Sequence, residues 1–335
     1  MNILAVIPAR SGSKSVPHKN IRLINGKPML SYSIEHAKQS KLINRIILST
    51  DSEEYAAIGR EYGAEVPFLR PKEYAQDHSL DVEAFFHCLS FLRSNEGYEA
   101  DIVVQLRPTY PIRDAGDIDS MIKILMENPS LDSVRSIAPA NEIPYKMWHK
   151  QENGIITPVM KDIRECYNMP RQQLPKVYYQ NACIDVIRGY VILQEYSMSG
   201  RNIYGYEMSR NYDIDTEEEF KKAEEFIKIT SGNKRFVFDI DGVVARLQKD
   251  NDYALAEPDM QMIELINRLY DMGNSIVLHT ARGYVTGIDW SQVTKQQMAR
   301  WGLKYHELHF GKPNADYYVD DRMLDIKQLL EMFSE

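Results

Sequence analysis

Only three cysteines occur in 335 residues, and Cys88, Cys166 and Cys183 share no close spacing. An odd, scattered set offers neither a disulfide framework nor the paired spacing of a zinc site, and a reducing compartment fits best. Cys88 and Cys183 lie in apolar runs and read as core. An excess of positive charge is also missing: 40 Lys and Arg stand against 48 Asp and Glu, for a formal net charge of -8. That balance argues against broad electrostatic binding to nucleic acid or to an anionic membrane, while leaving room for local basic clusters around a phosphate. The first apolar run, "NILAVIPA", is too short to span a bilayer and leads into a Gly/Ser loop rather than a cleavage site. No export signal is read, and a cytoplasmic protein is expected. No internal repeat, low-complexity tract or heptad array is found.

What is present, 44% hydrophobic and 26% charged residues, is the composition of a soluble globular protein long enough for two domains. Short apolar runs alternate with helix-length amphipathic stretches, from "ILAVIPA" and "MLSYSIEHAKQS" to "RIILSTD", "EEYAAIGREYG" and "DIVVQLRPT". This rhythm predicts an α/β fold with a mainly parallel, Rossmann-type sheet whose ligands gather at the carboxyl ends of the strands. Thr216 and Glu219 form a capping-box pattern ahead of an apolar stripe of Phe220, Ala223, Phe226 and Ile227, so a helix should run to about Gly232. "TSGNKR" then reads as a linker, which divides the chain into domains at 1–231 and 232–335. The second, smaller α/β domain is expected as strand "FVFDID", helix "DMQMIELINRLYDMG", strand "SIVLHT", helix "QQMARWG" and strand "YYVDD".

The loop "IPARSGSKSVPHKNI" follows the first strand, and its small residues let backbone N–H groups approach an anion while Arg10, Lys14 and Lys19 add positive charge. A triphosphate would fit, although such a loop in isolation is as readily a solvated turn. It is neither a Walker loop nor a dinucleotide fingerprint. With "NGKPML", "STDSEEYAAIGREYGAEVPFLRP", "AQDHS", "LRPTYPIRDAGDI", "PRQQLP" and "DIDTEEEF" following in order, residues 1 to 230 resemble the acylneuraminate (CMP-sialic acid) cytidylyltransferase family. The resemblance implies that Arg10, Ser13, Lys19 and Asn20 bind the nucleotide of CTP, with Lys19 near the α-phosphate, that Arg70 and Ser79 lie near the cytidine, and that Asp213 and Asp215 hold a catalytic Mg²⁺.

The last pair also has a physical reading. Alternate side chains of an extended segment share a face, so Asp213 and Asp215 can reach one hard cation while Ile214 points into the protein. Two carboxylates before a helix are also what its dipole favours, the lesser of the two readings. The chain departs from the family at the acceptor side: Arg107 replaces an expected Gln, Tyr110 a Ser, Ala182 a Gly and Asp185 a Tyr. A guanidinium in place of an amide favours a more acidic acceptor or one that carries a phosphate. Lys146 and Arg171 are further candidates for anion contacts, or surface charges.

Asp-Ile-Asp recurs in "FVFDIDGVV", followed by "IVLHTARG", "FGKPNAD" and "YYVDDR". Residues 235–335 thereby resemble the haloacid dehalogenase (HAD) phosphatase superfamily. The resemblance implies that Asp239 attacks phosphorus, that Asp241 protonates the leaving oxygen and later activates water, and that Thr280 and Lys312 hold phosphoryl oxygens. It also implies Mg²⁺ bound by Asp239, the backbone of Asp241 and Asp320, with Asp321 in support. The segments Val243 to Leu278 and Ala281 to Phe310 leave room only for a minimal cap. His306 and His309 read as packing or exposure rather than metal ligation.

The expectation is a bifunctional enzyme that moves CMP from CTP to a sugar acid and hydrolyses a phosphate monoester, for surface polysaccharide, as a homodimer or homotetramer. Two alternatives stand beside it. One is a phosphorylated polyol or phosphonate as acceptor, and the other is a nucleotide-binding assembly protein with an inactive second domain.

Overall fold

The computed structural model describes residues 1–12, 17–208, 213–246, 252–313, 315, 318 and 322–333. The chain divides into two compact units, Met1–Ala223 and Glu224–Glu335.

In the first unit the sheet strands are β1 (Ile3–Pro8), β4 (Arg45–Ser49), β5 (Ile102–Leu106), β6 (Ser133–Pro139), β9 (Tyr178–Arg188) and β10 (Ile203–Glu207), with small hairpins β2 (Leu23–Ile24) with β3 (Lys27–Pro28) and β7 (Trp148–Lys150) with β8 (Ile156–Pro158). The sheet order is β10-β6-β9-β5-β1-β4. β1 runs parallel to β4 and β5, and β10 parallel to β6, whereas β9 is antiparallel to both of its neighbours. The mainly parallel sheet is therefore present, with one reversed strand in its middle. Local sequence could not show that reversal, because "NACIDVI" reads as an apolar strand whichever way it runs.

β1 shows why the sheet is covered on both faces. Ile3, Ala5 and Ile7 join one core with residues of α1 (Met29–Gln39), α2 (Glu53–Tyr62) and α4 (Ala115–Glu127). Leu4 and Val6, pointing the other way, join a second core with α3 (Asp81–Glu96) and α5 (Gly189–Glu195). Local chemistry sets the helix ends. Ser52 caps α2 by accepting from the Tyr55 N–H, and Gly63 ends it at φ 91°, a conformation that disfavours any side chain. At α6 (Glu217–Thr230) the capping box read from the sequence is formed: the Thr216 N–H donates to Glu219 at 2.8 Å and the Glu219 N–H to Thr216 Oγ1 at 3.2 Å.

Two irregularities shape the edge of this sheet. Residues 140–177 leave β6 and return to β9 as short turns and the β7–β8 hairpin, around a separate small core of Ile143, Tyr145, Cys166 and Leu174. Where β9 pairs with β6, the register jumps between Arg135 and Ile137, and Ala182 sits in the jump at φ 57°.

In the second unit β11 (Arg235–Phe238), β12 (Ser275–Thr280) and β13 (Glu307–Phe310) form a parallel sheet in that order. The helices α7 (Met260–Asp271), α8 (Ser291–Arg300) and α9 (Ile326–Phe333) accompany it. Asp259 caps α7 by accepting from the Met262 N–H, and the helix buries Met262, Ile263, Leu265, Ile266 and Leu269. β13 is not among the strands the sequence predicts: it is the "ELHF" segment, which contains His309 and follows His306. His306 stacks on Tyr270 and its Nδ1 accepts from the Ile276 N–H, whereas exposed His309 pairs with Glu307. The strand expected at "YYVDD" lies, except for Tyr318, outside the described residues. No helix among the described residues is long and apolar enough to cross a membrane.

Candidate functional site

The first site is built where β1 ends. The Ala9 N–H prolongs the ladder to the Ser49 carbonyl, and the chain then turns past Arg10, Ser11 and Gly12. Ser11 is pinned twice, its N–H and its Oγ donating to the two oxygens of Asp51 at 2.9 and 2.8 Å. Asn20 is buried and its amide donates to the Arg10 carbonyl at 3.0 Å, tying the far end of the loop back to its beginning. Arg10 itself stays partly exposed, paired with Asp77 at 2.9 Å. Ser13 lies outside the described residues.

Lys19, on the same turn as Asn20, is only 7% exposed, and its ammonium donates to the Ile214 carbonyl at 2.7 Å and to Asp215 at 3.0 Å. The two halves of the sequence reading, the loop and the first Asp-Ile-Asp, thus form one cluster. Ile214 is fully buried and its N–H donates to the Thr109 carbonyl, which leaves Asp213 half-buried and Asp215 exposed. Burial pushes the Asp213 carboxyl above its ordinary range, and the charge of Asp215 adds to the shift. Asp213 Oδ1 is buried with no hydrogen-bond partner. An orphaned carboxylate oxygen beside a second carboxylate suits a hard cation such as Mg²⁺. Among the described residues no group of three or more His, Cys, Asp or Glu could hold a metal, so the pair needs oxygens from a substrate phosphate or water to complete a shell.

Arg70 is buried, whereas Ser79 is half-buried. Arg70 is 6% exposed and spends its guanidinium on the Ser49 hydroxyl and carbonyl; burial lowers its pKa to about 10. The Ser79 hydroxyl donates to the Glu73 carbonyl and accepts from the Gln76 N–H, closing its own turn.

On the acceptor side Arg107 is partly exposed and bonded to Asp81, the first residue of α3, which also accepts from buried Gln105. Asp185 corrects the sequence reading. It is 0% exposed and paired with Arg135 across the β6–β9 ladder, Nε to Oδ1 at 3.0 Å and Nη2 to Oδ2 at 3.3 Å, so it does not meet an acceptor. Its burial raises its pKa against the opposing pull of Arg135. Tyr110 is likewise inside, donating to the Asn181 carbonyl. Lys146 and Arg171 lie in the 140–177 excursion and are tethered by backbone oxygens, Lys146 by those of Tyr167 and Met169 and Arg171 by that of Ala140.

The second site lies at the ends of β11 and β12. Lys312 donates to Asp239 Oδ2, and the Lys312 N–H to the Thr280 carbonyl at 3.1 Å, so that Asp239, Thr280 and Lys312 converge. Gly242, at φ 88°, lets the chain turn sharply after Asp241, with its N–H on the Ala245 carbonyl. The Asp241 carboxylate is gripped by Arg282 at 2.8 and 2.7 Å. Asp239 is a hard oxygen donor of the kind Mg²⁺ takes, whereas both carboxylate oxygens of Asp241 are held by Arg282, which leaves its backbone carbonyl for a metal. Asp320 and Asp321 lie outside the described residues.

Sequence reasoning missed Asp51, Asp81 and Arg282. Asp51 and Arg282 stand inside motifs that were quoted, "STDSEE" and "IVLHTARG", but a partner far along the chain leaves no local trace.

Residues 4–241 match the model of the cytidylyltransferase family. The chain is 36% identical over 230 residues to post-translational flagellin modification protein B of Campylobacter coli, covering 68% of this chain and 95% of that protein. It is 34% identical over 232 residues to the CMP-N,N'-diacetyllegionaminic acid synthase of Campylobacter jejuni, covering 68% and 95%. In fold it is similar to CMP:2-keto-3-deoxy-manno-octonic acid synthetase complexed with CTP, with a TM-score of 0.52, 18% identity, and coverage of 68% of this chain and 99% of that one.

Proposed function

The chain belongs to the cytidylyltransferase family, and from that premise we propose that its first unit transfers CMP from CTP to a sugar acid of the nonulosonic class. The carrying observation is the junction of Lys19 with Asp213 and Asp215, which gathers one buried cation and two carboxylates beside a loop built to receive phosphates. An acceptor hydroxyl oxygen bonds to the α-phosphorus, the bond to pyrophosphate breaks, and a proton is released. Lys19 offsets charge on the α-phosphate, and Arg10, already at the surface, exchanges Asp77 for the outer phosphates. Asp213 and Asp215 would hold Mg²⁺, which when bound draws charge from the phosphate oxygens.

The relative at 34% identity, named as a CMP-N,N'-diacetyllegionaminic acid synthase, favours a sugar acid of that kind. Arg107 supports the same choice. Its positive charge is already met by Asp81, which weakens the case for a phosphate at that position and leaves donors suited to neutral polar groups.

The second unit is read as a Mg²⁺-dependent phosphatase that acts on an intermediate of the same route. Asp239 bonds to phosphorus as the ester bond breaks, Asp241 gives its proton to the departing oxygen, and water then cleaves the aspartyl-phosphate. Lys312, already bonded to Asp239, and Thr280 would hold the phosphoryl oxygens.

The test is pyrophosphate release from CTP by the full-length Asp239→Asn variant, offered free and phosphorylated nonulosonic acids and polyol phosphates in parallel. Release with free sugar acids supports the reading. Release only with phosphorylated acceptors overturns it and makes Arg107 a phosphate contact.

A further inference from the structure

Arg282 has no role in the two-aspartate chemistry described above, yet it is the most completely enclosed cation of the second unit's site. Its side chain is 0% exposed. Nε and Nη2 take the two oxygens of Asp241 at 2.8 and 2.7 Å. Nη1 donates to Gln297 Oε1 at 2.7 Å and to Thr294 Oγ1 at 3.2 Å, both on α8, and the guanidinium lies 4.9 Å over the Tyr253 ring. Gln297 is in turn fixed by donating to the Tyr253 carbonyl at 2.6 Å. The Arg282 N–H meets Thr280 Oγ1 at 3.1 Å.

A buried guanidinium needs a carboxylate and acceptors for its N–H groups, and this one has the carboxylate and acceptors for four of its five N–H groups. A planar fork that closes on both carboxylate oxygens sets the plane of the carboxylate as well as its place, which a single ammonium contact cannot do. The fork uses one lone pair on each oxygen, and the Asp241 side chain stays 23% exposed. Asp239, by contrast, is met by Lys312 through one oxygen only. Asp239 Oδ1 also accepts from the Ile240 N–H at 2.7 Å, so both aspartates are met at two oxygens, but only Asp241 is met by a single rigid fork.

Resting on the phosphatase reading, we propose that Arg282 is the positioning residue for Asp241, fixing its carboxylate so that one oxygen is presented to the departing group. Asp239 forms its bond to phosphorus, the phosphorus–oxygen ester bond breaks, and the departing oxygen takes the proton from Asp241. Water then adds to the phosphorus, returns a proton to Asp241 and releases inorganic phosphate.

Proton donation matters for a strongly basic leaving oxygen and little for a weakly basic one. The full-length chain is therefore assayed with Mg²⁺ for phosphate release from glycerol 3-phosphate and from p-nitrophenyl phosphate, as wild type, Arg282→Gln, Asp241→Asn and the double variant. Gln297→Leu, which removes one anchor of Arg282 and spares Asp241, serves where Arg282→Gln fails to fold. The expected result for Arg282→Gln is a fall of about a hundredfold or more in kcat/KM with the alkyl ester, a much smaller fall with the aryl ester, and a double variant no slower than Asp241→Asn. Gln297→Leu should show the same selectivity at smaller size. Equal losses on both esters, or losses that multiply in the double variant, would show a structural role and overturn the proposal alone. If wild type releases phosphate from neither ester, or does so equally well as Asp239→Asn, the phosphatase reading falls and this proposal with it.

Discussion

The ammonium of Lys19 lies 3.0 Å from the carboxylate of Asp215, 196 residues further along the chain. This one contact joins the turn after β1 to the extended segment before α6, and it makes a single site from two motifs that the sequence shows only separately.

Lys19→Met should therefore abolish most transfer. Without it the Asp213 and Asp215 charges lose their buried cation and the α-phosphate loses its counter-charge, so CTP-dependent pyrophosphate release is expected to fall by about 10²–10³. Steady-state pyrophosphate release measures it, and an unchanged rate would remove Lys19 from the chemistry.

Asp213→Asn should separate function from stability. The carboxylate is half-buried, opposed by Asp215 and left with an orphaned oxygen, so an amide there relieves a desolvated charge. The metal-free variant is expected to melt at or above the wild-type temperature while losing transfer, as functional sites that store unfavourable charge do. A lower melting temperature would mean that the carboxylate is structural.

Arg135 and Asp185 form a buried pair, and the two ends should not cost the same. Arg135→Leu leaves Asp185 uncompensated inside the sheet and should lower stability by about 3–5 kcal/mol, whereas the double change to Leu should recover much of that loss. Urea midpoints for the two single variants and the double variant decide it.

His36 makes stability fall in acid. Burial, with Arg113 beside it, lowers its pKa from 6.5 to about 3. The folded state holds the neutral ring while the unfolded chain takes up a proton, so its contribution is complete above pH 6.5 and is lost as pH drops toward 3. The limiting slope is about 1.4 kcal/mol per pH unit. Comparing denaturation midpoints of wild type and His36→Asn across that window tests this, and parallel curves would refute it.

Ala182 occupies the left-handed region at φ 57°, where a Cβ costs about 1–2 kcal/mol. Ala182→Gly should stabilise by less than that, about 0.5–1 kcal/mol, because glycine gains freedom in the unfolded chain. A thermal melt suffices.

Much of this architecture was legible before any coordinates. The apolar strands, the capping box at Thr216 and the alternation that buries Ile214 are local, and local chemistry decides them. What escaped was set by register and distance. Asp185 reads as an acceptor contact because it stands where the family has a Tyr, but β9 places it opposite Arg135, fifty residues away. The direction of β9 and the inward turn of Arg282 belong to the same class: each depends on an element that is remote in sequence.

The reversed strand has one more effect. Because β9 runs against β6, the excursion 140–177 departs and returns at the same end of these two neighbouring strands, around a small core of its own. Such a detachable flap can lengthen, shorten or be exchanged between lineages without shifting any ladder beneath it. A graft of this flap from a relative is the natural way to ask whether acceptor choice is inherited separately from the grip on CTP.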